Sequence, residues 1–426
     1  MTNPFTKAAG ACRRLAAAYL AGIALACLTL PANAQAPQAQ SEPAVPAWAV
    51  GRPDTEAARR LAPIAYPEQP YAESQFQLDK LNLPRGFRIE LYASGIADAR
   101  AMALGDKGTV FVGSARAGNV YAVVDNHGKR EVKTIATGLD RPNGVAFHKG
   151  ALYVAEPSKI WRYDNIENDL DKPPEPVLVT DQLPGDEVHG LRFIDIGPDN
   201  KLYVPVGTPC NNCDPSENHG VIWRMDLDGT NRERVARGVR NSVGLDWHPT
   251  SHQLYFTDNG RDWVSEDLPA DELNRVTREG QHFGNPFCHQ GDFLDPEFGW
   301  GRSCEDFVKP VALLGPHAGP LGMRFYTGRA FPQRYRGAIF IARHGSWNRT
   351  TKLGGDVVTA ILNRDGTVAS VEPFLSGFIR DNAYTGRPVD VLTLRDGALL
   401  VSDDYAGAIY RVWFAPPRPA RSRPQR

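Results

Sequence analysis

The repeating unit of the chain is clearest at residues 191–208, LRFIDIGPDNKLYVPVGT, followed by GVIWRMDLDG at residues 220–229. An apolar run leads into a polar turn, then into a run rich in Val, Tyr and Leu, and after a glycine into a short aromatic run. Apolar runs separated by such turns are typical of antiparallel strands joined by short connections. This stretch therefore predicts one small antiparallel sheet.

The same pattern recurs along the chain. Six copies begin at GTVFVGS, GVAFHKG, LRFIDIG, VGLDWHP, LGMRFYTG and VDVLTLR. Repeats of roughly forty residues or more, with four short strands each, are typical of β-propellers. We predict an all-β fold, a six-bladed β-propeller of four-stranded antiparallel blades over residues 84–414. The earlier run FRIELYASGI, residues 87–96, is expected to close the ring by adding a strand to the last blade, so that no sheet edge is exposed.

Composition narrows the range of functions. The chain has 426 residues, and its 48 Lys+Arg against 49 Asp+Glu leave a net charge of −1. A near-neutral chain offers no electrostatic basis for a nucleic-acid partner. Its 40 glycines and 34 prolines suit a fold with many tight turns.

The N-terminal residues carry the features of a targeting segment. Lys7, Arg13 and Arg14 precede the apolar run LAAAYLAGIALACLTL, and ANA at residues 32–34 fits a cleavage site. We predict a signal peptide over residues 1–34 and a periplasmic or secreted protein. A membrane anchor is disfavoured because the run is short for a bilayer span. Lipoprotein processing at Cys27 remains an alternative.

Three further segments lie outside the repeats. Residues 35–83 are Pro/Ala-rich and predict a flexible leader with a short helix around residues 54–61. Residues 415–426 predict a disordered basic tail. A long insertion at about 277–320 separates repeats 4 and 5, and loops of this length are usually functional or disordered.

The cysteines favour disulfides. Removal of the signal peptide leaves Cys210, Cys213, Cys288 and Cys304, an even number for an exported chain. Proximity in sequence favours the pairings 210–213 and 288–304, and a four-cysteine zinc site is the alternative. A haem attachment motif is excluded because Asp214 follows Cys213 where histidine is required.

Ionisable residues precede the first strand of several blades. They are His189 in repeat 3, Arg240 and Asn241 in repeat 4, His317 in repeat 5 and Arg387 in repeat 6. Equivalent points of different blades converge on the propeller axis, so we expect a shared pocket. Taken singly, each residue is equally compatible with a solvated turn or an ion pair between blades.

Such a pocket suits proton abstraction from a hydroxyl group while guanidinium groups clamp an anionic ligand. The chain lacks a G-x-S-x-G elbow and a strand-associated G-x-G-x-x-G, which disfavours a serine hydrolase and a Rossmann site. Residues 258–273, DNGRDWVSEDLPADEL, hold six carboxylates. They predict either a Ca²⁺ site that includes backbone carbonyls near Gly260 or a solvated acidic loop.

Several motifs occur in a recognisable order. They are HGLRFIDIGPDNKLYVPVGT, RGVRNSVGLDWHPTSHQLYFTDNG, DELNRV…HFGNP, HAGPLGMRFYTG and GRPVDVLTLRDGALLVSDD. Over about residues 84–414 the chain resembles the soluble glucose/sorbosone dehydrogenases, six-bladed propellers that use pyrroloquinoline quinone (PQQ) with calcium.

The resemblance implies a role for each matching residue. His189 would take the hydroxyl proton of the substrate while hydride passes to the quinone. Arg240 would polarise the reacting quinone carbonyl, Asn241 would bind the cofactor, and Arg387 would lie near the quinone carboxylates. The backbone carbonyls of Gly260 and Arg261 would hold Ca²⁺.

The sequence departs from the family pattern at two points. Arg261 replaces the proline of a Gly-Pro pair, so its guanidinium must point away or pair with a carboxylate such as Asp262. The family's cofactor-binding lysine has no clear match. The segment ARHGSWNRTTK, residues 342–352, occupies its place, and the candidate substitutes are Arg343, His344, Arg349 and Lys352.

The sequence therefore predicts a PQQ-dependent oxidoreductase acting on an aldose or a related hydroxy-aldehyde. An external electron acceptor, for which a periplasmic cytochrome is one candidate, would reoxidise the quinone. Stable membrane insertion and nucleic-acid binding are not expected. The alternatives are a calcium-dependent propeller lactonase and a non-catalytic propeller that binds a glycan or a protein.

Overall fold

Six antiparallel sheets follow one another along the chain in the structure, a computed structural model that describes residues 45–416. The first strand, β1 (Phe87–Ser94), belongs to the last sheet, and the other sheets are built from consecutive strands. The first strands of neighbouring sheets contact one another for five of the six pairs, including the last with the first. The third and fourth sheets meet through the rings of Tyr203 and Trp247, whose centroids are 4.8 Å apart. The sheets are therefore the blades of a six-bladed propeller, as predicted.

Each blade runs from an innermost first strand outward. Blade 1 consists of β2 (Met102–Leu104), β3 (Val110–Val112), β4 (Val120–Asn126) and β5 (Lys129–Ala136), blade 2 of β6 (Gly144–His148), β7 (Ala151–Ala155), β8 (Ile160–Tyr163) and β9 (Val177–Thr180), and blade 3 of β10 (Asp195–Ile196), β11 (Leu202–Val206), β12 (Val221–Met225) and β13 (Glu233–Arg237). Blade 4 consists of β14 (Leu245–Trp247), β15 (Leu254–Asp258), β16 (Ala270–Arg275) and β20 (Ala312–Pro316), and the insertion before β20 contains β17 (Gln281–His282), β18 (Cys288–His289) and β19 (Phe293–Leu294). Blade 5 consists of β21 (Pro320–Phe325), β22 (Ile339–Arg343), β23 (Asp356–Leu362) and β24 (Val368–Leu375); the hairpin of β25 (Ile379–Arg380) and β26 (Ala383–Tyr384) follows, and blade 6 consists of β27 (Pro388–Thr393), β28 (Leu399–Asp403), β29 (Ala408–Phe414) and β1.

The ring closes through β1, as the sequence predicts. β1 runs antiparallel to β29, with Phe87 opposite Phe414 and Ser94 opposite Ala408. The outer strand of blade 6 therefore comes from the N-terminal side of the repeat region and the other three strands from its C-terminal end. Because β1 is added, blade 6 has four strands like the other blades, and the edge of β29 is paired.

The core lies between the blades. The strand faces that meet there carry buried aliphatic and aromatic side chains. The Phe87 ring, for example, meets Phe331 and Phe374 edge-to-face, with centroids 4.8 and 4.9 Å apart. Such contacts bury large apolar areas and fix the angle between neighbouring sheets.

The insertion between repeats 4 and 5 is shorter than predicted. Residues 312–316, assigned to it from the sequence, form β20 and pair with β16 as the outer strand of blade 4. The remainder reaches back to blade 3, where β17 pairs in parallel with β13. The Cys288–Cys304 disulfide links the β18–β19 hairpin to a short 3-10 helix, Cys304–Asp306. Both predicted disulfides are present, because Cys210 also bonds Cys213.

The leader differs from its predicted flexibility within the part that the structure describes. Residues 45–83 contain α1 (Glu56–Arg59), capped by the Thr55 hydroxyl, and 3-10 turns at Ala47–Ala49, Glu73–Gln75 and Leu78–Lys80. They lie on the propeller: the Tyr71 N–H donates to Ala406 O at 2.9 Å, and Asn82 forms a β-bridge with Ser376. The physical reason is that the apolar side chains of 76–83 find partners in blades 5 and 6, distant in sequence.

The remaining helical turns are the 3-10 segments Ile166–Asn168 and Gln333–Tyr335. Across residues 45–416, none of the helices has the length and apolar character needed to cross a membrane. The predicted signal peptide, residues 35–44 of the leader and residues 417–426 of the tail lie outside the described residues.

Candidate active site

A cavity of about 400 Å³ opens at one end of the ring of innermost strands. Most of its lining comes from loops that precede the first strands of blades 3 to 6 and from loops that follow the second strands of blades 3 to 5. These loops meet because, in an antiparallel sheet, the start of one strand lies beside the end of the next. His189, Arg240, Asn241, His317 and Arg387 all line it, so the predicted convergence is confirmed.

His189 is held in one tautomer. Its Nδ1 lies 2.9 Å from the carbonyl oxygen of Thr208, the second residue after β11. Because a carbonyl oxygen only accepts hydrogen bonds, Nδ1 carries the proton and Nε2 keeps a free lone pair. Burial and the nearby Arg240 and Arg192 guanidinium groups hold the pKa of His189 well below 6.5. The ring is therefore neutral at pH 7, as a general base must be.

The backbone around His189 leaves little freedom. Its φ of 52° lies in the left-handed region. A Cβ on the facing Gly207 would stand 2.7 Å from the His189 Cβ and 3.0 Å from Arg240 O. Glycine at 207 therefore lets the loop carrying the histidine approach the loop carrying the arginine.

Arg192 supports the same loop and was not identified from the sequence. Its side chain is 1% exposed and donates to three carbonyl oxygens, those of Pro157 at 2.9 Å, Pro184 at 2.5 Å and His189 at 2.8 Å. Burial lowers its pKa to about 10. No sequence pattern marks an arginine whose partners are backbone carbonyls, and one of them, Pro157 O, comes from the preceding blade.

Arg240 is fixed by hydrogen bonds on every side. Its guanidinium donates to the Asn211 carbonyl at 2.7 Å, to the Asn259 carbonyl at 3.0 Å and to Asp262 Oδ2 at 3.0 Å. The backbone N–H groups of Arg240 and Asn241 both donate to the buried Asp258 carboxylate, at 2.9 and 2.6 Å. Asn211 belongs to the Cys210–Cys213 disulfide loop, so that loop positions a cavity residue.

Arg387 is a cation with neutral partners. Its guanidinium donates to Tyr66 Oη at 2.8 Å, to His344 O at 3.1 Å and to Gly345 O at 3.0 Å. The side chain is buried, and no carboxylate of residues 45–416 forms a salt bridge with it. A buried cation of this kind suits an anionic ligand.

The loop after β15 presents unpaired carbonyls. The Gly260 N–H donates to Asp271 Oδ1 at 2.8 Å, and the other oxygen of this buried carboxylate accepts from Gly319 N–H at 2.8 Å. Burial raises the pKa of Asp271 to about 6. Within the described residues no group donates a hydrogen bond to Gly260 O or Arg261 O.

The Arg261 side chain points away from the cavity. Its guanidinium pairs with Asp295 Oδ2 at 2.6 Å and with Glu297 at 3.7 Å, rather than with Asp262. Asp295 is buried and also accepts from His289 Nε2 at 2.8 Å. The insertion therefore supplies the carboxylate, Asp295, that neutralises the Arg261 guanidinium.

Asn348 contributes an unpaired acceptor to the cavity. Its Nδ2 donates to Asp262 Oδ1 at 2.8 Å, which identifies the other amide atom as oxygen. That Oδ1 is buried and has no hydrogen-bond partner within residues 45–416. A buried acceptor left unpaired is costly, so it indicates the place of a ligand donor.

Two predicted cofactor ligands do not line the cavity. Arg343 lies directly opposite Asp356 on β23 and donates to its carboxylate at 2.7 Å. Arg349 pairs with Asp267 and with the Glu266 carbonyl. Lys352 donates to the Trp347 and Arg349 carbonyls and does not line the cavity either. Of the four candidates to replace the family's lysine, His344 alone is among the lining residues.

His344 is bound to a carboxylate at the edge of the cavity. Its Nε2 lies 2.8 Å from Asp404 Oδ1 and 3.2 Å from Tyr66 Oη. Burial and the Arg387 charge lower its pKa to about 4.

The acidic segment 258–273 does not form one cluster. Asp258, Asp271 and Glu272 are buried, whereas Asp267 is exposed and pairs with Arg349. Within residues 45–416 no group of three or more His, Cys, Asp or Glu side chains is arranged to hold a metal ion.

Comparisons of the sequence and the fold with known proteins identify the family. A family profile described as Glucose / Sorbosone dehydrogenase matches residues 174–411. An uncharacterised protein of Borreliella burgdorferi is 34% identical over 349 aligned residues, which cover 78% of this chain and 91% of the relative.

More distant relatives share the fold. A pyrroloquinoline quinone-dependent pyranose dehydrogenase of Coprinopsis cinerea is 25% identical over 403 aligned residues, and the alignment covers 78% of this chain and 54% of that protein. The chain thus spans about half the length of that relative. The holo PQQ domain of a Coprinopsis cinerea pyranose dehydrogenase superposes with a TM-score of 0.66 at 20% identity, covering 82% of this chain and 98% of the domain. With the profile matching more than half of its residues, this chain belongs to the glucose/sorbosone dehydrogenase family.

Proposed function

We propose that the protein is a PQQ-dependent oxidoreductase that oxidises an aldose or a related hydroxy-aldehyde with the help of Ca²⁺. The observation that carries the proposal is the hydrogen bond from His189 Nδ1 to Thr208 O. It leaves an unprotonated Nε2 in a cavity that also holds the guanidinium groups of Arg240 and Arg387. This combination suits removal of a hydroxyl proton beside a bound anion.

The cavity residues fit the quinone. PQQ carries carboxylates, and Arg387 is a buried cation without a carboxylate partner among residues 45–416. Asn348 Oδ1 is a buried acceptor without a donor and would suit an N–H of the cofactor. Asn241 lines the same cavity. The relative named as a PQQ-dependent pyranose dehydrogenase supports the choice.

The loop at Gly260 and Arg261 fits Ca²⁺. Ca²⁺ binds carbonyl and carboxylate oxygens, and these two carbonyls accept no hydrogen bond within the described part of the chain. The substitution of proline by Arg261 is compatible with this role because Asp295 holds its guanidinium elsewhere. The ion would neutralise part of the cofactor charge.

His189 and Arg240 have different roles in the proposed reaction. His189 Nε2 accepts the proton of the substrate hydroxyl, and Arg240 stays in place through its bonds to Asn211, Asn259 and Asp262. Burial, together with the fixed charge of Arg240, keeps His189 neutral before the reaction. When bound, PQQ supplies the acceptor for the hydride that leaves the substrate carbon. An external acceptor such as a cytochrome would then take the electrons in the periplasm or outside the cell, where disulfides persist.

The test uses the purified apo-protein reconstituted with PQQ and Ca²⁺. We expect dye reduction with a panel of aldoses, and loss of dye reduction when Ca²⁺ is chelated. The His189→Ala variant should bind the quinone normally and lose most turnover, because removal of a general base typically costs about 10²–10⁴-fold in rate. The matched control is His127→Ala, at an exposed turn between β4 and β5.

The same assay distinguishes the alternatives. Absence of quinone binding and of dye reduction would refute the proposal. Metal-dependent hydrolysis of lactones would instead identify a lactonase, and glycan binding without turnover would identify a binding protein. Normal turnover by His189→Ala would refute the assignment of the base.

A further inference from the structure

The N-terminal leader forms part of the cavity wall. Ala47, Trp48 and Pro63 line the cavity, and Tyr66 hydrogen-bonds to Arg387 at its edge. We call residues 47–66 the strap, because this segment contacts the cavity near both of its ends. The sequence predicted a flexible leader here, and none of these residues was among the predicted site residues.

One end of the strap is fixed in an aromatic corner formed by Trp48, Trp263 and Trp347. Trp263 Nε1 donates to Trp48 O at 2.9 Å. The Trp48 and Trp347 rings meet edge-to-face with centroids 5.9 Å apart, and Trp263 meets Trp347 in the same way at 5.3 Å. Trp48 and Trp347 line the cavity at this corner.

The other end is fixed by the Tyr66 hydroxyl. It accepts from Arg387 Nη1 at 2.8 Å and donates to Asp404 Oδ2 at 3.2 Å. The Arg116 guanidinium lies 3.5 Å from the centre of the Tyr66 ring. These two fixed points hold Trp48 and Pro63 against the cavity, even though the segment between them has little regular structure.

The apolar part of the cavity depends on the strap. Six lining residues have apolar side chains, and three of them, Ala47, Trp48 and Pro63, belong to the strap. The other three are Val188, Leu321 and Trp347. The polar part of the lining, with Arg240, Arg387 and Asp271, suits a charged cofactor. The apolar corner suits a ligand with an uncharged face.

We propose that Trp48 is a specificity-determining residue that packs against the C–H face of a cyclic sugar, so that the strap completes the substrate site. This inference rests on the proposed function and narrows its substrate class to ring-form sugars. A pyranose presents a flat patch of C–H groups, and an indole ring gains dispersion contacts along such a patch. A short open-chain hydroxy-aldehyde lacks that face and gains little from the corner.

The experiment compares a ring sugar with an open-chain substrate in the full-length holoenzyme. The variants are Trp48→Ala and Trp48→Phe, and the control is Trp300→Ala, which is 84% exposed in the insertion. For Trp48→Ala we expect KM for glucose to rise about tenfold, because one aromatic contact with the bound sugar is lost, and kcat to stay nearly unchanged. KM for glyceraldehyde should change less than about twofold. Trp48→Phe should recover part of the loss, and PQQ affinity should stay the same in all variants.

Equal increases for glucose and glyceraldehyde, or no increase for either, would overturn the inference. A change in PQQ affinity would also overturn it, because it would show that Trp48 serves the cofactor. Circular dichroism of each variant separates these results from a folding defect.

A second measurement separates failure of the inference from failure of the proposed function. Saturation-transfer NMR with glucose and the PQQ-free protein detects sugar contact without turnover. If the wild type oxidises nothing with PQQ yet binds glucose, and Trp48→Ala loses that contact, the proposed reaction fails and the strap inference stands. If glucose contact is unchanged by Trp48→Ala, or is absent from the wild type, the strap inference fails.

Discussion

The chemistry of the site is decided by the partners of His189. The carbonyl of Thr208 sets its tautomer, burial and the Arg240 charge keep it neutral, and Arg192 holds its backbone carbonyl. Each partner comes from a different loop. Without the two guanidinium groups the ring would be protonated more readily, and without the Thr208 carbonyl it would hold either tautomer.

The pH dependence of the proposed reaction follows from this arrangement. The base must be neutral, and the pKa of His189 lies well below 6.5, so kcat/KM should stay level through pH 6.5 and fall only in more acidic solution. Removal of one cation by Arg240→Gln should lower the rate and move the acid limb upward. Steady-state measurements across the pH range locate the limb. A wild-type limb at or above pH 6.5 would contradict the lowered pKa.

The location of a site residue could be predicted where it follows from the residue's position along its blade. His189, Arg240, Asn241 and Arg387 precede first strands, and the propeller axis brings such points together. Arg343 was chosen only for its proximity in sequence to the missing lysine, and strand register places it opposite Asp356. Tyr66 could not be predicted, because its partners Arg387 and Asp404 are more than 300 residues away in sequence. Arg192 could not be predicted because all its partners are backbone carbonyls, which carry no sequence signal.

At the level of elements, the insertion acts on the site through Asp295. This residue lies just after β19 and is fully buried, where it pairs with Arg261 and His289. The Cys288–Cys304 disulfide and the β17 pairing with blade 3 hold the surrounding loop. The insertion therefore holds the loop at Gly260 through the Arg261–Asp295 pair.

Asp295→Ala tests this connection. Loss of the carboxylate leaves Arg261 buried without its main partner, which typically costs about 3–5 kcal/mol of stability. The freed guanidinium should also weaken Ca²⁺ binding next to it. Chemical denaturation measures the first effect, and the Ca²⁺-dependent rise in Tm measures the second. Glu297→Ala is the control, since that carboxylate is exposed and its pairing should contribute less than about 1 kcal/mol. Wild-type behaviour of Asp295→Ala would show that the insertion does not support the loop.

At the scale of the whole molecule, the innermost strands enclose a buried charged group. Arg324 on β21 lies near Asp195 on β10 and Asp390 on β27, with closest atoms 3.6 and 3.8 Å apart. Asp246 on β14 accepts from the Phe325 N–H at 2.7 Å. One guanidinium thus faces three carboxylates contributed by three other blades. Burial raises the pKa of Asp246 to about 7.

Asp246 should make stability depend on pH. A carboxyl in an unfolded chain titrates near pH 4, whereas Asp246 in the folded protein holds its proton to about pH 7. Between these values the native state binds more protons than the unfolded state, so the free energy of unfolding falls as pH rises through that window. In Asp246→Asn the fall should be smaller by an amount on the order of 1–3 kcal/mol. Urea denaturation at pH 5 and pH 8 gives both values, and an unchanged difference would refute the role of Asp246.

The propeller itself was predictable because each repeat carries its own strands and turns. Every copy, such as 191–208, contains apolar runs and turn residues within a few positions of one another. The leader was not predictable, because residues 45–83 are ordered by contacts with segments such as Ser376 and Ala406. The boundary of the insertion was missed for a similar reason: β20 pairs with a strand that ends more than thirty residues earlier.

The pairing of β1 with β29 has a mechanical consequence. Phe87 and Phe414 lie opposite each other, so the flanking chain leaves both strands at the same end of the pair. A force that pulls the two ends of the molecule apart would first lift off the leader and then unzip these strands one hydrogen-bonded pair at a time. The other five blades would keep all their strands while blade 6 opened. The propeller should therefore yield first at this point, and at a lower force than shearing two strands along their length would require.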